Sequence, residues 1–127
     1  MKILLDTHAF LWYFDDSDKL SKKAADIIEN RGVQKYVSIA CYWEFTIKYG
    51  IGRLKFDGGP PQLWNMILQN GFTILPITQP YIEKTIHLPL IHRDPFDRLL
   101  VATAITDGLT ILTADENIHK YDAISTW

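Results

Sequence analysis

The sequence predicts an α/β domain built on a mainly parallel sheet. Short apolar runs alternate with longer helix-like segments along the whole chain, the order expected when strands are joined by crossover helices. With 127 residues and 47% hydrophobic content, residues 1–127 read as a single domain able to bury a core. No single-sign charge tract and no Ser/Gly/Pro-rich linker divides the chain, so order is expected nearly end to end.

The elements follow in sequence. Ile3, Leu4 and Leu5 form the first apolar run, which ends on a carboxylate, Asp6. A helix-like segment covers 20–30. "YVSI" (36–39) is the second run, and Ser38 is placed to cap a long helix from about 39 to 49. "KFDGGPPQ" is a loop by its Gly-Gly-Pro-Pro punctuation, and Pro61 suits the first turn of a helix over 61–70. "FTILPI" (72–77) is the third run. In "RDPFDRLLVATAITDG", Asp94 reads as N-cap, Pro95 as the first helical residue, Asp97 as the third and Gly108 as the stop. "LTIL" (109–112) is the fourth run and "AIS" near the C-terminus the fifth.

The net charge of -2 advertises no nucleic-acid coat, so an anionic ligand would need a local basic patch or metal ions. One cysteine, Cys41, permits no internal disulfide, and no segment approaches the roughly 20 apolar residues of a membrane span. A reducing, cytoplasmic setting without membrane attachment is the expectation.

Four acids then stand out by position. Asp6 follows the first strand. Glu44 lies beside an apolar stripe of Ala40, Trp43, Ile47 and Ile51, one helical turn before Lys48, with which it can pair. Asp97 opens the 95–107 helix. Asp115 lies in "LTILTADENI", where Thr113 and Glu116 read as a capping box that puts Asp115 in the first helical turn. Each has an adequate structural role on its own. Together, a sheet order of 3-2-1-4-5 would bring all four to one carboxyl edge, at the switch point where such sheets bind ligands. Converging carboxylates must take up protons or bind cations, and hard oxygen donors without a His/Cys cluster select Mg²⁺ or Mn²⁺.

"LLDTHAFLW", "SIACYWEFTIK", "DPFDRLLVATA" and "LTADENI", in this order and spacing, resemble the PIN-domain ribonucleases, and among them the VapC-like toxins of toxin-antitoxin pairs. The resemblance implies a three-layer α/β/α fold, metal-dependent cleavage of RNA, a cognate antitoxin and Asp6, Glu44, Asp97 and Asp115 as the acidic quartet. It implies Thr113 as the polar residue that supports the last acid, and Thr7, next to Asp6, is a further supporting candidate. Where many toxins of the group carry T-x-N-x-x-D-F, this chain has "TADENIHKYD", with Asp115 in the Asn place and Ile118 in the Asp place. Arg53, Lys55, Arg93 and Arg98 are candidates for RNA backbone contacts, with His8 and His92 as further phosphate contacts. A second apolar side of the 39–49 helix, Tyr42, Phe45 and Tyr49, and the aromatic "FLWYF" (10–14) suit a homodimer or an antitoxin helix.

Two other readings compete. A phosphoacceptor receiver domain would use Asp57, but that residue falls in the Gly-Gly-Pro-Pro loop and no Lys follows "LTILT". A PIN-like module that only binds protein is the other, and the presence of all four acids weighs against it.

Overall fold

Three consecutive residues of the first strand, Ile3, Leu4 and Leu5, are completely buried. Successive strand side chains point to opposite faces, so this strand must be covered on both sides. The computed structural model describes residues 1–127 and shows how. Its elements are β1 (Lys2–Leu5), α1 (Thr7–Phe14), α2 (Lys22–Glu29), β2 (Gln34–Ser38), α3 (Ile39–Gly50), α4 (Gly59–Gln69), β3 (Thr73–Leu75), α5 (Gln79–Lys84), a 3-10 turn (Thr85–His87), α6 (Pro95–Asp107), β4 (Thr110–Leu112), α7 (Glu116–His119) and β5 (Ser125–Thr126).

The strands form one sheet in the order β3-β2-β1-β4-β5, as the sequence predicts, and every neighbouring pair is parallel. Leu4 pairs with Tyr36 on one side and Ile111 on the other, which makes β1 the central strand. Phe10, Phe45, Leu63, Ile67, Leu100 and Ile118 from the surrounding helices complete the core of this three-layer α/β/α domain. No helix is long and apolar enough to cross a membrane.

Local chemistry accounts for the helix ends. Ser38 caps α3 by accepting from the Ala40 N–H, and Asp94 caps α6 by accepting from Phe96 and Asp97 N–H, with Pro95 following. Two helices exceed the prediction. α1 escaped because "THAFLWYF" is apolar on nearly every side, and because its N-cap is Asp6, a residue already singled out for its charge. α5 escaped because it is only six residues long.

The orientation of α3 corrects the sequence reading. Its buried face is Ala40, Cys41, Glu44 and Phe45, whereas Trp43 is 56% and Ile51 65% exposed, with Ile47 also at the surface. A helix apolar on two sides gives periodicity no means of choosing between them. The choice is made by α4, where the Tyr42 hydroxyl donates to the Pro60 carbonyl at 2.9 Å and Tyr42 meets the Trp64 ring edge-on. Of the aromatic groups expected to lie at an interface, Phe45 and Phe10 are therefore interior and Tyr49 is exposed; Trp43, Ile47 and Ile51 add apolar surface that the sequence reading assigns to the core side.

Gly108 ends α6 in the left-handed region (φ 65°) while its N–H bonds the Ala104 carbonyl, and an added Cβ would meet nothing within 4 Å. The cost of a side chain there is thus backbone strain alone. Gly108→Ala is expected to lose about 1–2 kcal/mol of stability and Gly108→Asn less, measured by urea denaturation.

Candidate active site

Asp6 occupies the junction of β1, β4 and α1. Its N–H extends the β1–β4 ladder to the Leu112 carbonyl at 3.2 Å, and its Oδ1 accepts from the Ala9 N–H at 2.7 Å as the α1 cap. Oδ2 accepts a short hydrogen bond from the Thr113 hydroxyl. The residue is only 8% exposed. Burial pushes its carboxyl above the usual range, opposed by those two hydrogen bonds and then by His8, while Asp115 pushes it further up.

Glu44 projects from the middle of α3 and is equally buried. Thr7 Oγ1 donates to its Oε1 at 2.7 Å, and Lys48 Nζ meets its Oε2 at 3.2 Å. The i,i+4 pairing available in the sequence is thus formed, and Thr7 supports this acid. Cys41, one turn earlier on the same face, lies in the same cavity. Burial drives its thiol well up, and Asp6, Glu44 and Asp97 each add to that, so the sulfur is held as a neutral thiol.

Asp97 stands at the start of α6. Its Oδ2 lies 3.2 Å from His92 Nε2, and His92 Nδ1 lies 2.7 Å from the Tyr121 hydroxyl. Arg98 closes this chain by donating to Tyr121 Oη at 3.2 Å, to the Pro89 carbonyl at 2.9 Å and to the Thr85 carbonyl at 3.1 Å. Burial, followed by the neighbouring Asp94 carboxylate, raises Asp97 to about 6; His92 opposes the shift, and Asp115 and Glu44 reinforce it.

Asp115 differs from the reading of its motif. It is itself the N-cap of α7, with Oδ1 accepting from Asn117 N–H at 2.8 Å, rather than a residue inside the first turn. Thr113, freed from capping, donates to Asp6 and accepts from Asp115 N–H at 3.0 Å. Its hydroxyl therefore supports the first acid and the backbone of the fourth together. The short α7 explains the miss, since a four-residue helix shows no period from which its start can be located.

The four acids arrive from the end of β1, the body of α3, the start of α6 and the segment after β4, and all of them line one cavity of about 120 Å³. Asp94, read from the sequence only as a cap, lines it too, so five carboxylates face the single ammonium of Lys48. No three His, Cys, Asp or Glu side chains are drawn in to a common centre, and Asp6, Glu44 and Asp97 are each hydrogen-bonded to a neighbour. The donor set is all oxygen in excess negative charge, which fits a hard divalent cation and suits zinc poorly.

The basic residues divide differently. Arg53, Lys55 and Arg93 are exposed and lie outside the cavity. Arg98 is held within the protein, its guanidinium donating to two carbonyls and to Tyr121. His8 lines the cavity, while His92 serves Asp97. Asp57, on which the receiver reading depended, is exposed and outside the acids' cavity, in a depression with Lys55 and Gln62.

Fold and cleft together define the class: a small α/β/α domain with an acid-rich cavity at the carboxyl edge of a parallel sheet, where β1 and β4 meet. Within that class the chain belongs to the PIN domain family, whose sequence model matches residues 3–124. It is 27% identical over 121 residues to ribonuclease VapC22 of Mycobacterium tuberculosis, covering 94% of this chain and 91% of that protein. Among solved structures it is similar to VapBC2 from Rickettsia felis bound to a DNA fragment from their promoter, with TM-score 0.75, 15% identity and coverage of 100% of this chain and 99% of that one. It is also similar to FitAcB from Neisseria gonorrhoeae, with TM-score 0.65, 20% identity and coverage of 98% and 96%. At such identities the solved structures speak to the fold alone.

The elevated Asp97 carboxyl has a measurable sign. Between the unfolded value of 3.8 and about 6 the native protein holds a proton that the unfolded chain has released. This group therefore weighs fully against the metal-free fold above about pH 6, and its cost fades as pH falls toward 4. Asp97→Asn is expected to gain stability over the parent at pH 7 in EDTA, with the gain shrinking toward pH 4. A difference that stays flat across denaturation curves from pH 4 to 8 would contradict the shift.

Proposed function

We propose that this protein is a divalent-metal-dependent endoribonuclease, the toxin of a toxin-antitoxin pair. The carrying observation is the convergence of Asp6, Glu44, Asp97 and Asp115 on one cavity at the sheet's switch point. The ribonuclease relative, similar over nearly its whole length, supports RNA as the substrate class. A solved structure to which the chain is also similar, a toxin-antitoxin complex from Klebsiella pneumoniae (TM-score 0.66, 20% identity, covering 98% of this chain and 96% of that one), supports an antitoxin as binding partner.

Asp6, Glu44, Asp97 and Asp115 would hold Mg²⁺ or Mn²⁺. The chemistry such an ion supplies when bound is activation of water and neutralisation of charge on the phosphoryl oxygens. The protein's own contribution is orientation. Thr113 and the Ala9 N–H fix both oxygens of Asp6, Thr7 fixes one oxygen of Glu44, and His92, backed by Tyr121, fixes one of Asp97. Asp97 and Glu44 thereby each keep an oxygen that no neutral protein group claims. Leu100 and Cys41 form an apolar, buried part of the wall that limits water around the acids.

Arg53 and Lys55, exposed just beyond α3, are the proposed contacts for an RNA backbone outside the cavity. The Trp43–Ile47–Ile51 stripe is apolar surface for a protein partner, whether the antitoxin or a second copy in a homodimer.

Two measurements test this reading. Purified, antitoxin-free protein is expected to cut RNA with Mg²⁺ or Mn²⁺ and not with EDTA. Asp6→Asn should lose more than about 100-fold, beyond the range usual for an outer-shell partner; an Asp6→Asn protein as active as the parent would refute the site. Arg53→Ala and Lys55→Ala should weaken RNA binding while lowering the slope of log affinity against log salt by about 0.7 for each phosphate no longer neutralised. An unchanged slope would remove them from the RNA path.

A further inference from the structure

Lys48 is the one Lys or Arg side chain in the wall of a cavity that carries five carboxylates. Its ammonium meets Glu44 Oε2 at 3.2 Å, and Oε1 of the same acid is already taken by Thr7. Lys48 therefore covers the one oxygen of Glu44 that the neutral scaffold leaves open. The two partners differ in freedom: the Glu44 side chain is 10% exposed and the Lys48 side chain 35%. Burial fixes the acid, while the ammonium sits at the mouth on a flexible stem. Lys22 and Asp26 show the contrast, an i,i+4 pair with both partners in solvent, where such pairing contributes little.

We propose that Lys48 is the tethered counter-ion of the acid cavity: it holds Glu44 in the metal-free protein, competes there with the divalent ion, and once displaced contacts the substrate phosphate. The inference rests on the proposed function, since it concerns the same metal and the same RNA. Its first half follows from charge. A divalent ion that takes up Glu44 must displace or face a positive charge a few ångströms away, at a site where solvent screening is reduced. Its second half follows from attachment. The released ammonium remains on α3 beside the cavity that must admit an anionic phosphodiester, and it carries three rotatable donors on a flexible stem. Asp6, Asp94, Asp97, Asp115 and His8 line the same cavity and do not change in the experiment.

The test is calorimetric titration of Mg²⁺ and Mn²⁺ into EDTA-stripped parent, Lys48→Met and Lys48→Arg, followed by the KM for a short single-stranded RNA at saturating metal. Lys48→Met keeps the aliphatic stem, and Lys48→Gln serves as a second neutral variant should the first fold poorly. The neutral variants are expected to bind metal about tenfold more tightly, the scale of one nearby charge at intermediate dielectric, and to show a KM raised several-fold. Lys48→Arg should stay close to the parent in both. Metal affinity unchanged or weakened in the neutral variants overturns the inference and leaves the proposed function standing. An unchanged KM overturns its phosphate half. A parent that binds no divalent ion overturns the proposed function and the inference with it.

Discussion

Asp6 must present a carboxylate where water is nearly excluded, and meeting that demand ties together three parts of the fold. One residue extends the β1–β4 ladder through its N–H, caps α1 through Oδ1 and receives Thr113 through Oδ2. A buried polar group left without partners costs about 1–3 kcal/mol, so these contacts are what make the position tolerable. They also determine its geometry. With both oxygens engaged, Asp6 has little rotational freedom, and the cavity inherits that rigidity. At Glu44 and Asp97 a hydroxyl or an imidazole holds one oxygen; the second oxygen of Glu44 meets only the Lys48 ammonium. A fold that satisfied all these acids with Arg or Lys would have no surplus charge to offer a cation.

Much of the fold was legible because its signals are local. The β1 run, the Asp94–Pro95–Gly108 punctuation of α6 and the Ser38 cap each declare an element within a few residues, and the alternation of runs and helices declares a parallel sheet. The face of α3 was not legible, because Trp43 and Cys41 lie on rival apolar sides and only the docking of Tyr42 on α4 decides between them. Helix α1 was hidden and the start of α7 misplaced for related reasons. One lacks a polar side, and in both the capping residue is one of the four acids.

The acids were legible through position, the groups that hold them mostly were not. Thr113 reads locally as a helix cap, and its bond to Asp6 depends on the pairing of β1 with β4. Arg98 lies beside Asp97 in the sequence, which suggested a substrate contact; in space it turns instead to Thr85, Pro89 and Tyr121. The Tyr121–His92–Asp97 chain joins residues that no motif links. Only the Glu44–Lys48 contact follows from spacing alone, since a helix makes i and i+4 neighbours wherever it sits.

The Thr113–Asp6 bond spans 107 positions, from the start of the chain to beyond its last long helix. Contacts of such separation form only after the intervening chain has closed a large loop, so they belong to the slow, late part of folding. Synthesis proceeds from the N-terminus at about 5–20 residues per second. Asp6 emerges first and waits for β4 to be made before its second oxygen has a partner. A chain cut short before β4 thus carries three of the acids without the strand that organises them, and the cavity is complete only when β4 and the segment after it are in place.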